Sequence, residues 1–365
     1  MINLNAPINS FGYGVVGYNV WRQLSDKAEV TLFPIGNRIE PPVDEGQEIS
    51  EKMQQDFKRS QYFDRENPTL KIWHENLLFE RLGNNKYYAF PFFEINHFDD
   101  GRKHSLNSVD HLFVASEWAK QVCLENDIKV PITISPCGVD RAVFNENNCV
   151  LSELNYQKCI FFNCGKWEVR KGHDILCRAF EDAFPSNSDV ELWMMNSNPF
   201  LNEQESKYWE NKYSAHNMRL IPRVESQAQV AQIMSQAFCG VFPAKAEGWN
   251  LELLEMMSMG KEVIATNYSA HTEFCNDDNT KLINSNQKEP AYDGKWFTGD
   301  VGTWFKFNDD AYDQLVMRLR EVYKLWKQNP EHMNTQGIQT AVKFNWSNTA
   351  DIILNEMKEN KIDAS

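Results

Sequence analysis

Strand and helix signals alternate along this chain, and the alternation runs twice. Apolar segments at 2–7, 30–35, 69–74 (TLKIWH), 87–93 (YYAFPFF), 111–115 and 132–136 are separated by helical or polar stretches, as parallel βαβ units require. A polar stretch, NENNCVLSELNYQK (145–158), reads as a linker. A second series follows, with strand signals at 159–165, 190–195, 218–222, 238–244 and 262–266 and helix signals from 173, near 203–215, near 226–236 and from 250. The expected class is α/β: two doubly wound, Rossmann-like domains, residues 1–148 and 156–346, facing a central cleft with the carboxyl ends of their strands.

The first turn raises the question of a dinucleotide. Residues 12–17, GYGVVG, fit G-x-G-x-x-G through Gly12, Gly14 and Gly17, and the helix behind them places Val16, Val20 and Leu24 on one face. A nicotinamide enzyme would also place Asp or Glu after the second strand to hold the adenosine ribose, whereas EVTLFPIG (29–36) runs into Asn37. A phosphate loop is retained and NAD is set aside, with an oxidoreductase kept as an alternative.

Composition suits a folded two-domain protein: 365 residues, 42% hydrophobic and 13% aromatic. No apolar run approaches the roughly 18–20 residues that cross a bilayer, and the N-terminus lacks the basic and apolar regions of a secretory signal. The expected location is the cytoplasm, with at most peripheral membrane contact. Eight cysteines form no C-x-x-C pair and suit buried thiols in a reducing compartment. The net charge of −14 repels nucleic acid, which is therefore not an expected partner.

The most informative stretch is AKAEGWNLELLEMMSMGKEVIATNYSAHTEF (244–274). Glu247 falls on a loop at the cleft mouth and Glu255 lies within a helix that starts near Asn250, a good N-cap residue. The amides of Trp249, Asn250 and Leu251 then form a helix N-terminus suited to an anion. Taken alone, the two carboxylates fit a solvated helix face. The stretch, however, resembles the signature of retaining glycosyltransferases of family 4 (glycosyl transferases group 1), E-G-[FW]-G-L-x-x-L-E-A-M-A-x-G-x-P-V-I-A. FFNCGKWEVRKGHDILCRAF (161–180) resembles the family's phosphate element, residues 109–144 the segment closing its first domain, and FNWSNTADIILNEM its last helix.

The resemblance implies the GT-B fold, with the helix 347–362 packing back on the first domain. It also implies transfer of a hexose from a nucleoside diphosphate sugar, such as a UDP- or GDP-hexose, to a hydroxyl of a saccharide or glycoconjugate, with retention and without a cofactor. Residue by residue it carries Glu247 to the donor sugar hydroxyls, Glu255 to the ribose, and Lys166 and Lys171 to the diphosphate. Gly14 matches the first glycine of the N-terminal loop, and Gly248, Trp249, Asn250 and Leu251 complete the donor site. Asn250 stands where Gly is common and Glu262 where Pro is usual. Arg170 is expected to face solvent or an acidic partner. On the acceptor side, PFFEINHFDD (91–100) offers Glu94 first, then His97, with His74 a further candidate; each histidine equally suits a structural role.

No two aspartates stand at i, i+2, so a D-x-D metal site is not expected, and the lysines and helix termini take the cation's place. In the insert GKWFTGDVGTWFKF, Trp296, Trp304 and Phe305 suit core or interface packing better than a sugar platform. Two further alternatives remain: a phage-type DNA-modifying glycosyltransferase, disfavoured by the acidic charge, and a non-catalytic glycan-binding relative, disfavoured because Glu247, Glu255, Lys166 and Lys171 are all present.

Overall fold

Two six-stranded sheets, each wholly parallel, form the body of the protein. The computed structural model describes residues 1–43, 46–149 and 151–362. The first sheet comprises β1 (Ile2–Ile8), β2 (Val30–Ile39), β3 (Thr69–His74), β4 (Tyr87–Phe92), β5 (His111–Val114) and β6 (Ile132–Ile134), in the order β2-β1-β3-β4-β5-β6. The second comprises β7 (Cys159–Gly165), β8 (Val190–Asn196), β9 (Met218–Leu220), β10 (Cys239–Phe242), β11 (Glu262–Thr266) and β12 (Lys281–Ile283), in the order β12-β11-β10-β7-β8-β9. Strands such as YYAFPF and CIFFNCG are near-continuous apolar runs because helices cover both faces of a parallel sheet.

The strand order sets the position of the site. In the first sheet the chain reverses its direction of growth between β1 and β3, and in the second between β7 and β10. Loops leaving neighbouring strands at such a point run to opposite faces and open a crevice at the carboxyl ends. The two crevices face each other.

Three features depart from the sequence expectation. Residues 12–17 are not a loop: they open the helix Gly12–Lys27, and the turn is Asn9–Phe11. A Cβ on Gly14 would stand 2.1 Å from Asn9 Oδ1 and one on Gly17 2.1 Å from Pro7 O, so these glycines let the helix pack against the end of β1. The second sheet has a sixth strand, β12. After it, an antiparallel hairpin of β13 (Lys288–Tyr292) and β14 (Thr298–Phe305) reaches the first domain, where Trp304 Nε1 donates to Glu94 O (2.8 Å) and Thr303 N to Asn96 Oδ1 (2.7 Å). Trp304 is buried there, and Phe305 is buried in the second domain's core.

The last helix, Trp346–Ile362, lies against the first domain. Val139 N donates to Phe344 O at 3.0 Å, the Thr349 hydroxyl to Pro136 O at 2.6 Å, and Lys27 Nζ pairs with Asp351 at 2.7 Å.

Candidate active site

The cleft encloses about 390 Å³ and is lined by residues at the carboxyl ends of both sheets. Asn9 to Tyr13 follow β1, Trp73 and His74 end β3, and Phe92 and Glu94 end β4; opposite them stand Gly165 to Lys171 after β7, Phe200 after β8, Arg223 to Gln227 after β9, and Glu247 to Leu251 after β10. Arg223 bridges the walls: its guanidinium lies 3.9 Å from the Phe11 ring centroid and bonds Ser10 Oγ at 2.6 Å.

At the centre is an ion-pair network. Glu247 Oε1 lies 2.7 Å from Lys171 Nζ and Oε2 2.9 Å from Arg170 Nη1. Arg170 also binds Ala246 O (2.8 Å) and Glu168 (2.7 Å), and approaches Glu94 of the other domain to 3.6 Å. Lys166 Nζ, half exposed, lies 3.8 Å from Glu168. Burial opposes the charge on Glu247, yet Lys171 and Arg170 hold its carboxyl at about 2. Burial likewise opposes the Lys171 ammonium, and Glu247 and Glu252 more than compensate, raising it. Burial pushes Glu94 up against the pull of Arg170, with Glu247 and Glu168 adding to the rise. The result is a balanced cluster of Glu94, Glu168 and Glu247 with Lys166, Arg170 and Lys171.

Glu255 differs. It is buried in the helix Leu251–Ser258, and among the described residues no hydrogen bond or ion pair reaches its carboxyl; burial, with Glu252 and Asp140, lifts it well above the usual carboxylate range. The start of that helix explains the Asn for Gly exchange. Asn250 has φ +86°, a left-handed conformation that Asn tolerates better than most side chains. Its Oδ1 accepts from Leu253 N (3.2 Å) and its Nδ2 donates to His271 Nε2 (2.9 Å), whose Nδ1 faces Thr266 O at 3.0 Å. The left-handed backbone is thus compensated by a side-chain cap. Gly248 lets the two domains approach closely here, since a Cβ there would meet Phe92 Cβ at 3.1 Å. The Trp249 indole packs between Phe274 and Phe344.

On the first wall, the Tyr13 hydroxyl donates to Phe92 O (3.0 Å) and lies 3.3 Å from His74 Nδ1. Partial loss of hydration and the charge of Lys166 across the cleft hold His74 down at about 4. The cleft thus gathers Lys166, Lys171, Glu94, His74, Glu247, Gly248, Trp249, Asn250, Leu251 and Glu255. It does not gather His97, which is exposed away from the lining beside the hairpin, or Gly14, which is covered by Asn9; Gly12 takes the open position instead. Arg170 is buried among acidic partners, so of its two expected surroundings the acidic one is found. Tyr13 and Glu168 fall inside quoted motifs but at variable positions of them, and Arg223 lies in none; only their places after strand ends could have singled them out.

Residues 158–292, spanning this network and the helix behind it, match the family model described as glycosyl transferases group 1. The match covers 135 of the 365 residues, all within the second domain. No curated protein matches the chain by sequence. Among solved structures, sucrose-phosphate synthase from Thermosynechococcus elongatus is similar over 100% of this chain and 99% of that one, with a TM-score of 0.70 and 14% identity. A glycosyltransferase from Rickettsia africae is similar over 98% and 97%, with a TM-score of 0.69 and 13% identity. The trehalose-6-phosphate protein of E. coli bound with UDP-2-fluoro glucose is similar over 98% of each chain, with a TM-score of 0.69 and 10% identity. The two domains together have the GT-B fold, and the cleft between them is the candidate active site.

Proposed function

We propose that the protein transfers a hexose from a nucleoside diphosphate sugar to a hydroxyl of a saccharide or glycoconjugate, in the cytoplasm, with retention of configuration and without a metal ion. The observation that carries this reading is the clamped Glu247 carboxylate: ionised, held by Lys171 and Arg170, beside a helix N-terminus and across the cleft from Glu94.

An ionised carboxylate accepts hydrogen bonds from the vicinal hydroxyls of a donor sugar, and Glu255 offers the same to a ribose. Lys166 and Lys171 neutralise the charge that grows on the diphosphate as the C1–O bond breaks. The acceptor hydroxyl loses its proton as the new bond forms. Glu94, made more basic by burial, is suited to take it. A bound UDP-sugar analogue in the E. coli relative supports a nucleotide-sugar donor. Among the described residues no helix is long and apolar enough to cross a membrane, and all eight cysteines are free thiols, as a reducing compartment would keep them.

A thermal-shift panel of UDP, GDP, ADP, their hexoses and NAD tests the donor. A ligand at 100 times its Kd adds about 2.7 kcal/mol, a shift of several degrees. The nucleotide sugar that shifts the melt is then incubated with saccharide acceptors, and the anomeric coupling of the product is read by NMR. A shift with NAD alone, or an inverted product, would overturn the reading.

A further inference from the structure

The cleft rim carries two exposed aromatic rings that the donor site leaves unused. Phe200, after β8, lines the cleft and is 58% exposed; Trp296, at the tip of the β13–β14 hairpin, is 55% exposed. Their rings meet edge to face with centroids 6.2 Å apart. The tip is firmly built. The amides of Lys295, Trp296 and Phe297 all donate to Asp293 Oδ1 (2.9, 2.7 and 2.9 Å), and Lys295 Nζ bonds Phe200 O at 2.8 Å and both Glu205 carboxylate oxygens at 3.2 Å. These bonds fasten the tip to the Phe200 loop while leaving the indole in water. Presenting a large ring to solvent on an ordered tip forfeits burial free energy that a bound partner would recover.

The surroundings indicate what covers it. Lys166 Nζ lies 5.5 Å from the Phe200 ring centroid, so the platform adjoins the Lys166–Glu168 side of the cleft. On the facing wall, Trp73 and His74 line the same cleft, with Tyr13 packed against both at 5.5 and 4.6 Å. His74 feels the Lys166 charge, consistent with two walls close enough to touch one ligand. A lipid tail would call for a continuous apolar strip, whereas these rings are bordered by Lys166, Lys295, Glu205 and Asp293. A pyranose has the matching character: an apolar C–H face for the ring and a rim of hydroxyls for the ionic groups.

We propose that Phe200 and Trp296 form a stacking platform for a pyranose unit of the acceptor beyond the unit that carries the reacting hydroxyl. The acceptor is then a chain of at least two sugars and not a free monosaccharide. This rests on the glycosyltransferase reading above.

The test is an oligosaccharide array probed with the full chain, with Trp296→Ala and with Trp296→Tyr, each loaded with the nucleoside diphosphate that raises the wild-type melting temperature. Trp296 lies outside the cleft lining, so nucleotide affinity is expected to match in all three proteins. Wild type should retain glycans of two or more sugars. Trp296→Ala should lose about tenfold in affinity for them and Trp296→Tyr should keep most of it. Unaltered glycan binding by Trp296→Ala, a loss of nucleotide affinity in that variant, or no glycan retained by nucleotide-loaded wild type would each overturn the platform. A wild-type chain that binds no nucleoside diphosphate overturns the glycosyltransferase reading itself, and the platform with it.

Discussion

Lys171 Nζ lies 2.7 Å from Glu247 Oε1, so the group proposed for the donor phosphate and the group proposed for the donor sugar are partners of each other. A diphosphate must therefore compete with Glu247 for Lys171. Arg170 holds the second Glu247 oxygen at 2.9 Å, which keeps the carboxylate in place when the lysine turns toward phosphate.

Lys166→Ala and Lys171→Ala should each lower both kcat and nucleoside diphosphate affinity, because part of the ammonium–phosphate attraction develops only as the leaving group gains charge. The ideal pair is worth about 4 kcal/mol at 4 Å and an effective dielectric near 20, and cleft water reduces this to about 1 kcal/mol, or roughly fivefold. Lys171, the less exposed of the two, should show a larger effect than half-exposed Lys166. Steady-state kinetics and nucleotide titration check this; wild-type values in both variants would put the phosphate site elsewhere.

Glu247→Gln and Glu255→Ala should separate. The first keeps a similar shape and should depress kcat while nucleotide affinity is kept or raised, because Lys171 is released toward the diphosphate. The second removes the proposed ribose contact and should weaken binding of the free nucleoside diphosphate as well. Normal kinetics in both would return the pair to a structural role.

Arg170→Ala breaks its pairs with Glu247 and Glu168 and leaves them to Lys171 and the more distant Lys166, so the cost should fall below the about 3–5 kcal/mol of a fully stranded buried charge. The ligand-free melting temperature should fall by several degrees. Arg170→Lys should recover only part of the loss, since one ammonium cannot reproduce the fork that reaches Glu247, Glu168 and Ala246 O. An unchanged melt for Arg170→Ala would show that the network is not stabilising.

Acid should destabilise the ligand-free protein in two stages. His173, fully buried and with no partner at Nδ1 among the described residues, is held at about 3 by burial and by Lys171, against an ordinary 6.5. The unfolded chain therefore binds its proton first, and stability drops as pH falls from about 6.5 toward 3. Glu247, held at about 2 against an ordinary 4.5, contributes stability that is complete above 4.5 and is lost toward 2. Between pH 6.5 and 4.5 only the histidine of these two titrates, so His173→Gln should flatten the melting curve in that interval. An unaltered slope would assign the effect to other groups.

Turnover should survive EDTA, because Lys166 and Lys171 and not a bound cation are proposed to meet the diphosphate. Loss of activity restored by Mg²⁺ or Mn²⁺ would sink that argument.

The strands β3, β7 and β11 fall at the residues where apolar runs mark them, since a parallel strand buried on both faces is recognisable without its neighbours. Glu247 and the cap at Asn250 lie within one loop-and-helix segment and Lys171 within another, so each was legible through a local motif that resembles the family's. β12 is three residues long and β13–β14 buries few of its residues, so both exist only through pairing that no local period records. The neighbours of Arg170 illustrate the same limit: Glu247 is 77 residues away in the chain and Glu94 belongs to the other domain. Periodicity and turn chemistry act over a few residues, so the amino-acid sequence by itself determined two wound sheets and the motif residues at their ends. Which charges meet across the cleft, which glycine faces it and which aromatic rings stay in water were decided when the two domains closed on each other, because burial and Coulomb energy depend on distance in space.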